Sequence, residues 1–211
     1  MSSLRAPRDA AANPRLVDYK SPDGPRVKAV RSTLISSSLA TLKQEGLFDA
    51  YLARLPAEHR ERILLTIAPE WLPIEVGEAH YGTCDSLGLS DKQLERLGEL
   101  VSERIMGTFL GTLVRTSGRN VGATPWIPLG KYDMLWSRLM QGGSCTVERI
   151  GPKDVAIRAH GCSLFETHYF QVAYNGVVRG AAGMFAKAVT GRTMRTAEGG
   201  PGSVITNLSW V

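Results

Sequence analysis

The sequence predicts an α+β domain: N-terminal helices followed by a ββαββ unit forming a four-stranded, largely antiparallel sheet. Three observations predict it. Apolar residues recur at three- and four-residue steps through most of the stretch from Val27 to Met140, the signature of helices with one buried face. The period then changes to two in a pair of short runs around Gly151-Pro152. A long stretch rich in Gly and Ala follows, and two more β runs close the chain.

Residues 1–26 carry Pro7, Pro14, Pro22 and Pro25 and read as a flexible basic N-terminal arm, with Leu16, Val17 and Tyr19 as its only sizeable apolar group. Residues 27–211 read as a single domain. The first helix is expected from Val27, with Val30, Leu34, Ile35, Leu39 and Leu42 on one stripe and Gly46 as its stop. Leu47 to Leu55 makes a short second helix, stopped by Pro56, and Glu58 to Ala68 a third. Pro69 and Pro73 bracket an irregular corner at Trp71, since a residue before proline avoids helix. A fourth helix runs from Ile74 to about Ser86. Ser90-Asp91-Lys92-Gln93 is a capping box that opens a fifth helix reaching about Thr116. On it Gly107 and Gly111 lie four apart, a spacing that lets another element approach. A sixth helix is expected from Pro128 to Met140.

Cys145 to Ile150 and Val155 to His160 alternate around the turn Gly151-Pro152-Lys153-Asp154, which makes a hairpin. Leu164 to Val189 reads as one long helix, with Ala173, Gly176, Gly180, Ala181 and Gly183 among its aromatic and aliphatic residues. Thr193 to Ala197 and Val204 to Val211 are the closing strands. A sheet with helices on one side leaves a cleft between the layers, the usual place for a small molecule.

The chain has 211 residues, 43% of them hydrophobic, with a formal charge of +5. No run approaches the roughly 20 apolar residues of a membrane span. The first residues lack a secretory signal, so the expected location is the cytoplasm. The first 31 residues hold Arg5, Arg8, Arg15, Lys20, Arg26, Lys28 and Arg31 against Asp9, Asp18 and Asp23, so much of the positive excess sits on the arm, without the aromatics or motifs of a nucleic-acid binder. Cys84, Cys145 and Cys162 show no paired spacing and read as buried, reduced thiols.

This layout resembles the ligand-binding superfamily that joins haem-NO-binding domains, vinyl-reductase-type sensor domains and TRAPP vesicle-tethering subunits. The closest resemblance is to bacterial cytoplasmic proteins of that group. The residues that carry it are the helix Val27 to Lys43, the corner Pro69-Glu70-Trp71-Leu72-Pro73, the helix Asp91 to Thr116, the Gly151-Pro152 hairpin, the small-residue helix and the last strand with Trp210. The haem members carry a Tyr-x-Ser-x-Arg motif that this sequence lacks, and the zinc members a late cysteine cluster that is absent after Cys162. The expectation is therefore no cofactor and no metal, with haem the one alternative.

No enzyme constellation is found: Ser144 and Ser163 lack a nucleophile elbow, and Gly118, Gly122 and Gly130 miss both common phosphate-loop spacings. The expected function is a non-enzymatic sensor or binding domain for a small apolar ligand, signalling through a homodimer or partner surface. The pocket is expected to be lined by Phe109, Tyr132, Trp136, Phe165, His168 and Tyr169, with His168 as polar anchor. Trp126, set between prolines, is expected at a rim or contact. His80, Tyr81 and Cys84 share one helix face, and a satisfied polar residue is the favoured reading of His80 over a ligand. The alternative function is a scaffolding module with no ligand. Haem-based gas sensing ranks below both.

Overall fold

The computed structural model describes residues 15–67, 69–117 and 124–211, with the side chains of 108–117 outside the described set. The described residues begin with β1 (Arg15–Lys20), so the arm expected over residues 1–26 contains a strand. Val17 pairs with Val147 and Tyr19 with Cys145, partners more than a hundred residues away that no local pattern reveals. Residues 1–14 lie outside the described residues.

The helix expected from Val27 begins at Ser32, because the residues before it form β2 (Ala29–Arg31). Then come α1 (Ser32–Gln44), α2 (Phe48–Arg54) and α3 (Ala57–Leu64). Gly46, at φ +70°, reverses the chain after α1 in a conformation that favours glycine. The proline-flanked corner is not irregular: β3 (Trp71–Pro73) pairs with β2, Leu72 opposite Val30. The element α4 (Ile74–Asp85) follows, then α5 (Asp91–Ser117). At the start of α5 the Ser90 backbone N–H and hydroxyl both donate to Gln93 Oε1, at 3.0 and 2.7 Å, which is the reaching-back half of a capping box.

The single helix expected from Pro128 to Met140 is broken into α6 (Trp126–Leu129) and α7 (Tyr132–Leu139), with Gly130 at the break. The next strand is β4 (Met140–Gln141), which pairs with β2. The hairpin is β5 (Ser144–Gly151) and β6 (Asp154–His160). A 3-10 turn at Ser163–Glu166 precedes α8 (His168–Gly183), whose first turn is capped by Thr167 accepting from the Phe170 N–H at 3.2 Å. The helix is shorter than the expected Leu164 to Val189, since Val189 already belongs to β7 (Val189–Arg195). There the Lys187 N–H donates to Val211 O, drawing the chain into the sheet. The last element is β8 (Val204–Trp210).

Two sheets result. The larger has five antiparallel strands in the order β1-β5-β6-β8-β7, one more than the four expected; the smaller has the order β3-β2-β4. Helix α8 lies beside β7, where Asn175 Nδ2 donates to Gly191 O at 3.2 Å. Helix α5 packs on α8 at glycines: a Cβ on Gly98 would fall 1.9 Å from Ala173 O, and one on Gly176 2.2 Å from Glu95 O. Arg179 and Asn175 on α8 hold Glu95 on α5, at 2.6 and 3.0 Å. The close approach expected at Gly107 does not occur, since a Cβ there meets nothing within 4 Å, and Gly111 lies outside the described side chains.

Candidate functional site

A cavity lies among the helices rather than between helices and sheet. It offers about 90 Å³ to the centre of a water-sized sphere, several times what one water requires. Helices α1, α4, α5, α6, α7 and α8 all contribute walls, and β4 adds Met140. Leu34, Val101, Ile105, Leu135, Leu139 and Val177 are typical of the lining. The glycine seam explains the placement. Backbones of α5 and α8 touch along one side.

The polar atoms of the lining are few. Tyr132 on α7 and Tyr174 on α8 share a short hydroxyl–hydroxyl hydrogen bond. Burial pushes both phenols well above their ordinary range, so both stay neutral. Tyr169 is raised as well, first by burial and then by the nearby Cys84. On the facing wall stands Ser38 of α1, 3% exposed. Its Oγ has no hydrogen-bond partner. The Tyr169 phenol and Cys84 thiol lie beside it, close enough to temper their own shifts, but neither meets it at hydrogen-bond geometry. An unmet buried hydroxyl costs about 1–3 kcal/mol, and among the buried polar atoms without a partner this one lines the cavity. Among the described residues the lining holds no Asp, Glu, Lys, Arg or His.

Of the residues expected to form the site, Tyr132, Trp136 and Tyr169 do line the cavity. Trp136 is held there by its Nε1–H, which donates to Gly142 O at 3.1 Å. Phe165 is 1% exposed but sits behind the lining, edge-on to Phe170 and Tyr174 at 5.1 and 5.0 Å. His168 is on the surface, its side chain 59% exposed and its Nε2 2.8 Å from Asp91 Oδ1. The side chain of Phe109 lies outside the described residues. Trp126 is half-buried, edge-on to Trp210 at 4.6 Å, with the Arg149 guanidinium 4.8 Å from its ring.

The sequence reading missed Ser38, Tyr81, Phe170 and Tyr174 as lining. Ser38 had a legible signal: it falls, as Thr41 does, among the apolar residues Leu34, Ile35, Leu39 and Leu42 on the buried face of α1.

A second polar group lies behind the cavity. Tyr51 Oη and His80 Nδ1 share a hydrogen bond of 2.8 Å, and His80 Nε2 lies 3.9 Å from Cys84 Sγ. Burial lowers the His80 pKa to about 3, so the ring is neutral. All three cysteines are buried and free. Burial pushes the thiols up, Cys145 and Cys162 to about 12, which removes the reactive thiolate. Among the described residues no three His, Cys, Asp or Glu gather as a metal site. No helix among them is long and apolar enough to cross a membrane.

No protein-family model and no curated protein matches the chain. The fold does have a counterpart among solved structures. One, reported under "Modulating Heme Redox Potential Through Protein-Induced Porphyrin Distortion", superposes with a TM-score of 0.58 at 12% identity, covering 85% of this chain and 99% of its own. The two chains share a fold.

Proposed function

We propose that the protein is a non-enzymatic binding domain that encloses a small apolar guest among its helices and signals occupancy through a dimer or partner surface. The observation that carries this reading is the helix-lined void, larger than one water and walled by apolar side chains. The resemblance to the haem-NO-binding and vinyl-reductase-type sensor superfamily supports it, as does the shared fold with a protein studied for its haem. The chemistry of the interior supports the non-enzymatic part. Its phenols and thiols are held protonated, and its one buried imidazole is bonded to Tyr51 and turned to Cys84.

Haem does not fit the described lining of this cavity. The described lining offers iron no imidazole or thiolate; its thioethers and protonated phenols are the remaining donors. It also offers no cation for the two carboxylates of the porphyrin. The reading is therefore a ligand-holding domain whose guest is smaller and less polar than haem.

A scaffolding module without a ligand is the second reading. It draws on Leu65 and Ile67, 68% and 78% exposed after α3, an apolar surface suited to a protein contact. Native mass spectrometry of freshly purified protein separates the two. Added mass that is lost on gentle activation is the expected result. Bare mass, with no stabilisation by any small apolar compound, would overturn the binding reading and leave the scaffold.

A further inference from the structure

We infer that the guest is an electrically neutral, mostly apolar molecule carrying one hydrogen-bonding oxygen, and that Ser38 on α1 is the residue that recognises this oxygen. The inference rests on the reading that the cavity binds a guest, and adds the guest's chemical class and its point of recognition.

The hydroxyls around Ser38 show what it lacks. Ser36 Oγ donates to Thr33 O at 3.3 Å, and Thr41 Oγ1 donates to Ser37 O at 3.0 Å. Each is satisfied by its own helix, as serine and threonine in helices usually are. Ser38 Oγ is not, although it is more than nine-tenths buried and faces the void. Across the cavity the Tyr132 and Tyr174 hydroxyls satisfy one another. The Ser38 hydroxyl is thus a buried polar atom of the described lining with no hydrogen-bond partner, and it can both donate and accept.

The rest of the lining sets the class. A carboxylate, phosphate or ammonium would meet no opposite charge in the described lining, and burying an unpaired charge is prohibitive. A pure hydrocarbon would fill the apolar volume but leave Ser38 unmet. A neutral alcohol, ketone or ether built on a compact apolar frame satisfies both conditions.

Three probes with the same ring test this: methylcyclohexane, cyclohexanol and cyclohexanecarboxylate, titrated into the wild-type chain and Ser38→Ala by calorimetry and thermal shift. The wild type is expected to bind the first two and not the third. Ser38→Ala is expected to weaken cyclohexanol by about five- to tenfold, the loss of one hydrogen bond, while methylcyclohexane stays within about twofold. The hydrocarbon also certifies that the variant is folded and its cavity open. Equal weakening of both probes, or unchanged cyclohexanol affinity, overturns the role of Ser38 and leaves the cavity reading intact. Binding of the carboxylate overturns neutrality. Failure of all three to bind the wild type overturns this inference together with the proposed function.

Discussion

Two buried polar groups lie on either side of Tyr81, and they differ in one respect. On one side Tyr51 and His80 form a closed pair, with Cys84 adjoining both this pair and Ser38: the Tyr51–His80 bond is 2.8 Å, and the His80 ring lies edge-on to Tyr51 and Tyr81 at 5.3 and 4.7 Å. On the other side Tyr81 lines the cavity with Ser38 and Tyr169, and there Ser38 Oγ has no partner. Burial is the same in both places: Tyr51 and His80 are 0% exposed, Ser38 and Tyr169 3%. The difference is packing. Where side chains fill the space, polar atoms find each other and the group is structural. Where α1, α5, α7 and α8 leave a void, Ser38 Oγ faces it without a partner.

The sharpest way to break the comparison is to open the closed side. His80→Ala removes a fully buried ring and orphans the Tyr51 hydroxyl, so it is expected to destabilise by about 4 kcal/mol in urea unfolding. A change below about 1 kcal/mol would show that this group is not closed.

Acid acts on the same ring. The unfolded chain protonates His80 near 6.5, whereas the folded chain keeps it neutral down to about 3. Its contribution is therefore whole above 6.5 and is lost as pH falls toward 3, by about 1.4 kcal/mol for each pH unit at the steepest. Chemical unfolding between pH 7 and 5 should show the loss, and His80→Gln should flatten it. An equal slope in the variant would place the titration elsewhere.

Smaller effects separate the two sides further. Tyr51→Phe keeps the packing but leaves His80 Nδ1 without its hydroxyl partner, for an expected loss of about 1.5 kcal/mol by denaturant midpoint. Ser38→Ala, at matching burial, should in the absence of guest be neutral or stabilising by up to about 1 kcal/mol, because it deletes an unmet hydroxyl. A clear destabilisation would mean that Ser38 is satisfied within the protein. The smallest effect is expected from His168→Ala. Its pair with Asp91 is solvated on both members, so the melting curve should move by less than about 0.5 kcal/mol and guest binding not at all.

These contrasts also show what the sequence could reveal. The helices α2, α4 and α5 and the hairpin β5–β6 were legible because each repeats its own period over its own length. Strands β1, β2 and β3 were not, because a three-residue strand or an edge strand is defined by its partner, such as Val147 for Val17 or Leu72 for Val30. The aromatic lining was half legible. Tyr132, Trp136 and Tyr169 stand out by type and helical face. His168 stood out by type alone, and its position on the first turn of α8 turns it to Asp91 and solvent. Ser38 runs the other way: an ordinary residue type whose importance comes from the space in front of it. That space depends on how closely Gly98 and Gly176 let two helices meet, which no single helix encodes.

The account depends on the void itself. Diffraction from crystals held under xenon pressure tests it most directly, because a dry apolar cavity takes up xenon where a filled core does not. The account predicts a xenon site bounded by Leu34, Val101, Tyr132, Trp136 and Val177. An interior with no xenon there, closed by the same side chains moved inward, would contradict it.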